Sequence, residues 1–201
     1  SFADLYDDSI SQLKVQTVSF DFKEINKLNN KKIVLDRTIN PCPFIPINPE
    51  TINKRCAEIF NIQVAGLAKR LEYTGIKNVI IGVSGGLDST LALLVCHKTL
   101  ELLNLPKENI IAITMPGFGT TNKTYDNAVS LMKALGCTIK EIDIKPSCLQ
   151  QFKDIGQDEN IHDIAYQNVQ ARARTQNLMN YANKHNGLVI GTGDLSEIAL
   201  G

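Results

Sequence analysis

The chain reads as an α/β protein built on a doubly wound parallel sheet, and three observations predict it. Short apolar runs alternate with long helical patterns from residue 51 onward. The runs around Val79-Ile80-Ile81, Asn109 to Met115 and Gly187 to Thr192 are largely β-branched, as expected of strands covered on both faces. The first run enters a glycine-rich bend that opens into a helix, and parallel neighbours joined this way need right-handed crossovers.

Composition excludes several classes. The 201 residues carry 21 Lys+Arg and 21 Asp+Glu, so the net charge is zero. A large basic face for nucleic acid has no support. No apolar run approaches membrane-span length, and no signal-peptide pattern is present. The five cysteines (Cys42, Cys56, Cys96, Cys137, Cys148) form no CxxC pair and no metal-ligand spacing. A reducing cytoplasm fits that usage. Cys56 and Cys96 sit inside helical patterns and read as small core residues. The chain begins at Ser1 and stops within Ile198-Ala199-Leu200-Gly201, so a longer parent protein is expected.

Residues 1–43 are expected to be a short N-terminal appendage. Leu13 to Phe22 reads as a strand, Lys32 to Leu35 as a short second one. Asn40 to Pro49 holds four prolines and is an extended linker. Thr51 to Tyr73 then forms a helix with a stripe of Ile52, Cys56, Ile59, Phe60, Val64, Leu67 and Leu71, ended by Gly75. After the first strand, a helix begins near Asp88, with Asp88 or Ser89 as its cap and Leu91, Leu94 and Val95 at helical spacing. Tyr125 to Leu135 reads as helix closed by Gly136, Thr138 to Ile144 as strand, and Pro146 to Phe152 as short helix or loop. Asp158 to Ala182 is helical, with an apolar face of Ile161, Ala165, Met179 and Ala182. Asn168 and Arg172 fall in the middle of that face, where a polar side chain must be paired or await a ligand. Ligands of such sheets lie at the carboxyl ends of the strands, here Ser84–Ser89, Pro116–Thr121 and Gly193–Glu197.

The bend Ser84-Gly85-Gly86-Leu87-Asp88-Ser89 carries the chemistry. Strand, glycine loop and helix start turn backbone N–H groups and a helix dipole toward one spot, which suits an anion. Gly85 and Gly86 allow close approach, and the hydroxyls of Ser84 and Ser89 add donors. A Walker A loop needs a Lys that is missing here, and the glycines do not space as GxGxxG. An ordinary tight turn is the bland alternative. At the other end, Asp194 is placed to cap a short helix, and Glu197 with Asp88 could hold Mg²⁺.

The string SGGLDS resembles the pyrophosphate loop of the N-type ATP pyrophosphatases, the PP-loop family with an adenine nucleotide alpha hydrolase-like fold. The segments Asn168 to Arg174 and Gly191 to Gly201, with Arg55 to Leu67, resemble the synthetase domain of glutamine-dependent NAD synthetase. The resemblance runs over about residues 44–201 and implies residues 1–43 are the end of a nitrilase-like glutaminase plus linker. It implies ATP-dependent amidation of deamido-NAD through an adenylated intermediate, with ammonia drawn from glutamine in the parent protein. Carried over residue by residue, Gly82, Val83, Ser84, Gly85, Gly86, Leu87, Asp88 and Ser89 would bind ATP, with Met115 and Thr192. Asn168, Arg172 and Glu197 would bind deamido-NAD, and Asp88 and Glu197 would hold Mg²⁺ as the catalytic pair. The family also implies a homo-oligomer. His97, His162 and His185 form no triad and are given packing or surface roles. Another PP-loop enzyme with a different acceptor, or a fragment that binds ATP without turnover, is the alternative.

Overall fold

The computed structural model describes residues 17–19, 37–39, 42, 48–195 and 199. The chain divides into two compact units, Ser1–Ile45 and Pro46–Gly201. Most of the expected strand at Leu13–Phe22, the one at Lys32–Leu35, most of the proline linker, and Ser196, Glu197, Ile198, Leu200 and Gly201 lie outside the described residues; Thr17, Val18 and Ser19 are described and carry no strand assignment.

Helix α1 spans Pro49–Thr74. Asn48 caps it, its side-chain oxygen accepting from the Glu50 N–H at 2.9 Å, and Pro49 occupies the first turn, where no N–H is needed. Gly75 ends it at φ 69°, a left-handed conformation that costs glycine little. The expected apolar stripe holds only in the second half. Val64, Ala68 and Leu71 are buried, while Cys56 and Ile59 are exposed. The second half is the part seated on the helix after the first strand, α2 (Leu87–Leu102), where Thr99 Oγ1 donates to the Val64 carbonyl at 3.4 Å.

Strands β1 (Asn78–Gly82), β2 (Ile110–Thr114), β3 (Thr138–Glu141) and β4 (Gly187–Ile190) form one sheet in the order β3-β2-β1-β4. Every pairing is parallel, with Val79 opposite Ile110, Ile111 opposite Thr138, and Asn78 opposite Gly187. Helices α2 (Leu87–Leu102) and α3 (Asn122–Ala134) cover one face. Helices α4 (Lys145–Ile155) and α5 (Ile164–His185) cover the other. The sheet is therefore doubly wound, as expected. Alternate residues of β1 divide between the faces: Val79 and Ile81 pack toward α2, Ile80 toward α5. Each such fully buried side chain contributes about 1.5–3 kcal/mol relative to exposure. The winding direction reverses between β1 and β4, and crevices for ligands open at such switch points.

Several boundaries and faces differ from expectation for identifiable reasons. The N-cap of α2 is Gly86, so Asp88 and Ser89 lie inside the helix and neither caps it. Its buried face is Leu93, Val95, Cys96 and Leu100, whereas Leu91 and Leu94 are exposed. Edge strand β3 stops at Glu141, because Asp143 then accepts from the Lys145 N–H at 2.9 Å and starts α4. Helix α5 begins after Asp163, whose side chain accepts from Tyr166 N–H at 2.9 Å. Asp158 instead closes a turn on Asn160. Ile161 therefore precedes the helix, and Ile161 and Met179 are exposed. The true core face of α5 is Tyr166, Val169, Ala173 and Ala182. Asn168 is only half-buried and Arg172 is exposed, so the picture of polar residues on the core stripe is overturned.

Candidate active site

A cavity of about 970 Å³ opens at the carboxyl edge of the sheet. The ends of β1 and β2 form its floor through Gly82, Val83, Ile113 and Thr114, and Thr192 after β4 reaches it. The bend after β1 contributes Ser84, Gly86 and Ser89; the loop after β2 contributes Met115, Phe118, Gly119 and Thr120. The structure thus brings together seven of the ten residues expected around ATP. Gly85, Leu87 and Asp88 do not line the cavity.

The bend is braced from within. The Ser84 N–H donates to Ser89 Oγ at 3.3 Å, and the two serine hydroxyls meet at 3.2 Å. Ser89 Oγ in turn donates to the Gly86 carbonyl at 3.1 Å, and the Gly86 N–H donates to Ser84 Oγ at 3.3 Å. The two hydroxyls thus hold the loop's shape. Donors for an anion come from the backbone: the first N–H groups of α2 have no intrahelical acceptor, and no side chain caps them. The positive end of the α2 dipole adds roughly half an elementary charge.

Gly85 has φ 84°. A Cβ there would collide with the Thr124 carbonyl oxygen at the start of α3. Glycine is required twice over, once by the backbone and once by the neighbour. Thr121 caps α3, its hydroxyl accepting from the Thr124 N–H at 3.4 Å, so two helix N-termini approach the same cavity. The Tyr125 hydroxyl donates to Glu141 Oε2 at 2.5 Å, tying α3 to the edge strand; that hydrogen bond raises the phenol's pKa.

The opposite wall is α5. Gln170 and Arg174 face the cavity; Asn168 and Arg172 do not line it. Gln170 is buried, its Oε1 accepting from the Phe118 N–H at 3.2 Å and its Nε2 donating to the Tyr166 carbonyl at 3.3 Å. Arg174 Nε donates to the Met115 carbonyl at 3.4 Å. Gln170 and Arg174 are four residues apart, as are Asn168 and Arg172, and each pair shares a face. A step of two residues turns the helix by about 200°, so the two pairs lie on different faces. His162 also lines the cavity, stacked on Tyr166 at 4.3 Å, and Tyr166 stacks on Phe152 at 5.2 Å. Its packing role holds, though at the cavity. Glu197 lies outside the described residues. Asp88 is an exposed carboxylate in the first turn of α2, beside the bend. Among the described residues no cluster of three His, Cys, Asp or Glu gathers as a metal centre, and no helix is long and apolar enough to cross a membrane.

Comparison with known proteins bears on this geometry. The NAD synthase family model matches residues 59–201. The chain is 44% identical over 173 residues to the glutamine-dependent NAD(+) synthetase of Mycobacterium leprae, across 84% of this chain and 25% of that protein. It thus spans about a quarter of that relative's length. It is similar to the solved glutamine-dependent NAD+ synthetase from Acinetobacter baumannii in complex with adenosine diphosphate. That match has TM-score 0.65 and 29% identity, over 72% of this chain and 27% of that one. It is also similar to the NH3-dependent NAD synthetase from Campylobacter jejuni, solved in complex with the nitrate ion, with TM-score 0.63 and 29% identity over 72% and 59% of the two chains. A doubly wound sheet, an anion-ready bend at its switch point and a family match over most of its length together place the chain in the NAD synthase family.

Proposed function

We propose that this chain is the ATP-binding part of an enzyme that converts deamido-NAD to NAD. The observation that carries the reading is the Ser84–Ser89 bend at the uncapped start of α2, whose Ser84, Gly86 and Ser89 line a cavity large enough for a nucleotide. In this mechanism the nicotinate carboxylate attacks the α-phosphorus of ATP. Pyrophosphate leaves and an adenylated substrate remains. Ammonia then displaces AMP and forms the amide. No side-chain nucleophile is needed; rate comes from alignment and from fixed dipoles at the departing charge.

Gly82 to Ser89 would hold the phosphates, with Met115 and Thr192 contacting ATP. Asp88 offers the oxygen donor that a hard cation prefers, so Asp88 and Glu197 would hold Mg²⁺, which offsets phosphate charge. Asn168, Arg172 and Glu197 would bind deamido-NAD; for the first two, support comes from the motif alone, since neither lines the cavity. Residues 1–43 would belong to a preceding glutaminase that supplies ammonia from glutamine, and residues 44–201 to the synthetase, in a cytoplasmic homo-oligomer. Alone, the chain would bind ATP without turnover.

The test is pyrophosphate release by the whole protein given ATP, Mg²⁺, deamido-NAD and ammonium or glutamine. Release that requires deamido-NAD supports the proposal. Release with another acceptor from a panel of nucleotides and RNA, and none with deamido-NAD, rejects it in favour of a different PP-loop reaction.

A further inference from the structure

We propose that Gln170 and Arg174 are positioning residues for the nucleotide. From one turn of α5 they hold the Met115–Thr120 loop in the path that forms one wall of the cavity. The inference rests on the function proposed above and names a role that the motif comparison leaves unassigned.

Both residues bind loop backbone rather than loop side chains. Gln170 Oε1 takes the Phe118 N–H at 3.2 Å, and Arg174 Nε reaches the Met115 carbonyl at 3.4 Å. The two anchor points bracket Gly117. A Cβ at Gly117 would stand 2.8 Å from both Arg174 Nη2 and Gln170 Oε1, so the loop backbone is pressed directly against the pair. Within the loop, the Gly117 N–H donates to Thr120 Oγ1 at 2.9 Å, and from the far side the Ile144 N–H donates to the Pro116 carbonyl at 3.3 Å. The loop is therefore fixed from three directions, and α5 supplies one of them.

Burial makes this arrangement selective. Gln170 is 7% exposed, and an amide buried that deeply is costly unless both ends are satisfied. Here its oxygen holds Phe118, and its nitrogen holds the Tyr166 carbonyl. Arg174 lines the cavity; the ion pairs found among the described residues, Lys69–Glu72 and Lys98–Glu101, lie elsewhere. Its fork is thus directed at the loop and the cavity rather than at a carboxylate. Met115 and Phe118, the two residues it and Gln170 restrain, both line the cavity. Releasing them would loosen the grip on the nucleotide and leave the reacting phosphates on their own donors.

The experiment uses the whole protein, with Gln170→Met, Arg174→Lys and Gly117→Ala. Amide hydrogen exchange at Phe118 is measured first, without substrate. Faster exchange in Gln170→Met than in wild type is expected; equal exchange overturns the clamp whatever the protein's activity. Kinetics follow, with ATP varied at saturating deamido-NAD and ammonium. The expected result is a KM for ATP raised roughly tenfold, the equivalent of one good hydrogen bond, with kcat within about twofold. A fall in kcat with KM unchanged would mean that Arg174 acts on the reacting groups, and would overturn the positioning role. Should Gln170→Met fail to fold, Arg174→Lys, at a half-buried position, carries both measurements, with exchange at the Gly117 and Phe118 amides next to the released Met115 carbonyl; exchange equal to wild type overturns the clamp. Wild-type protein that neither binds ATP nor releases pyrophosphate would sink the proposed function alone, because the exchange result stands apart from it.

Discussion

Gly85→Ala is the sharpest probe of the bend. The residue sits at φ 84°, and an L side chain there costs roughly 1 kcal/mol in backbone strain alone. The larger effect is steric. The added methyl would run into the Thr124 carbonyl, a backbone atom that cannot rotate away. Either the bend or the start of α3 must shift, by on the order of 1 Å, and a misplacement of that size costs about 100-fold in an aligned reaction. Gly86→Ala is the matched comparison. Its backbone has φ −82°, which any residue adopts, and its Cβ would sit 3.4 Å from Ser84 Oγ. Calorimetric titration with ATP and a thermal melt are run on both. Gly85→Ala should lose at least tenfold more affinity than Gly86→Ala, while its melting temperature falls only modestly. Equal affinities for the two variants would refute the claim that the bend's shape makes the anion site.

Other perturbations have readable outcomes. Phe152→Ala removes a ring that is 2% exposed and stacked on Tyr166, and should cost about 3–5 kcal/mol in chemical denaturation. Burial pushes the Cys96 thiol up to about 12 and the Cys137 thiol to about 11. Mass spectrometry after brief alkylation near pH 8 should find Cys56 modified and Cys96 intact. The Tyr125 phenol should ionise above its usual range, because its proton is held by Glu141. A raised pKa favours the neutral phenol, so that link is present at neutral pH and lost in strong alkali. In an ultraviolet titration, Glu141→Gln should bring the phenol back toward its ordinary value.

The strand–bend–helix unit was legible because each part announces itself locally. Val79-Ile80-Ile81 is apolar without alternation, as a strand covered on both faces must be, and all three side chains are buried. Gly75 and Gly136, expected to end helices, both adopt positive φ. Local chemistry of this kind needs no knowledge of partners. The same holds for the order of elements, from which a parallel sheet follows.

What lay beyond the sequence was always a matter of what covers what. Ile59 and Val64 belong to one helical stripe, yet only the half of α1 beyond Val64 has α2 beneath it. The face of α5 depends on where the helix starts: the expected start is Asp158, whereas Asp163 caps the helix and Tyr166 stacks on Phe152. With that start, Gln170 and Arg174 are the polar pair of α5 that lines the cavity. That the two serine hydroxyls of the bend meet each other was not legible, because which hydroxyl meets which depends on the turn closing on itself. Sequence alone determined the periodicities and the glycines, which act within a few bonds. The tertiary structure decided burial and the partners of polar groups, since those depend on atoms brought close by folding from far along the chain.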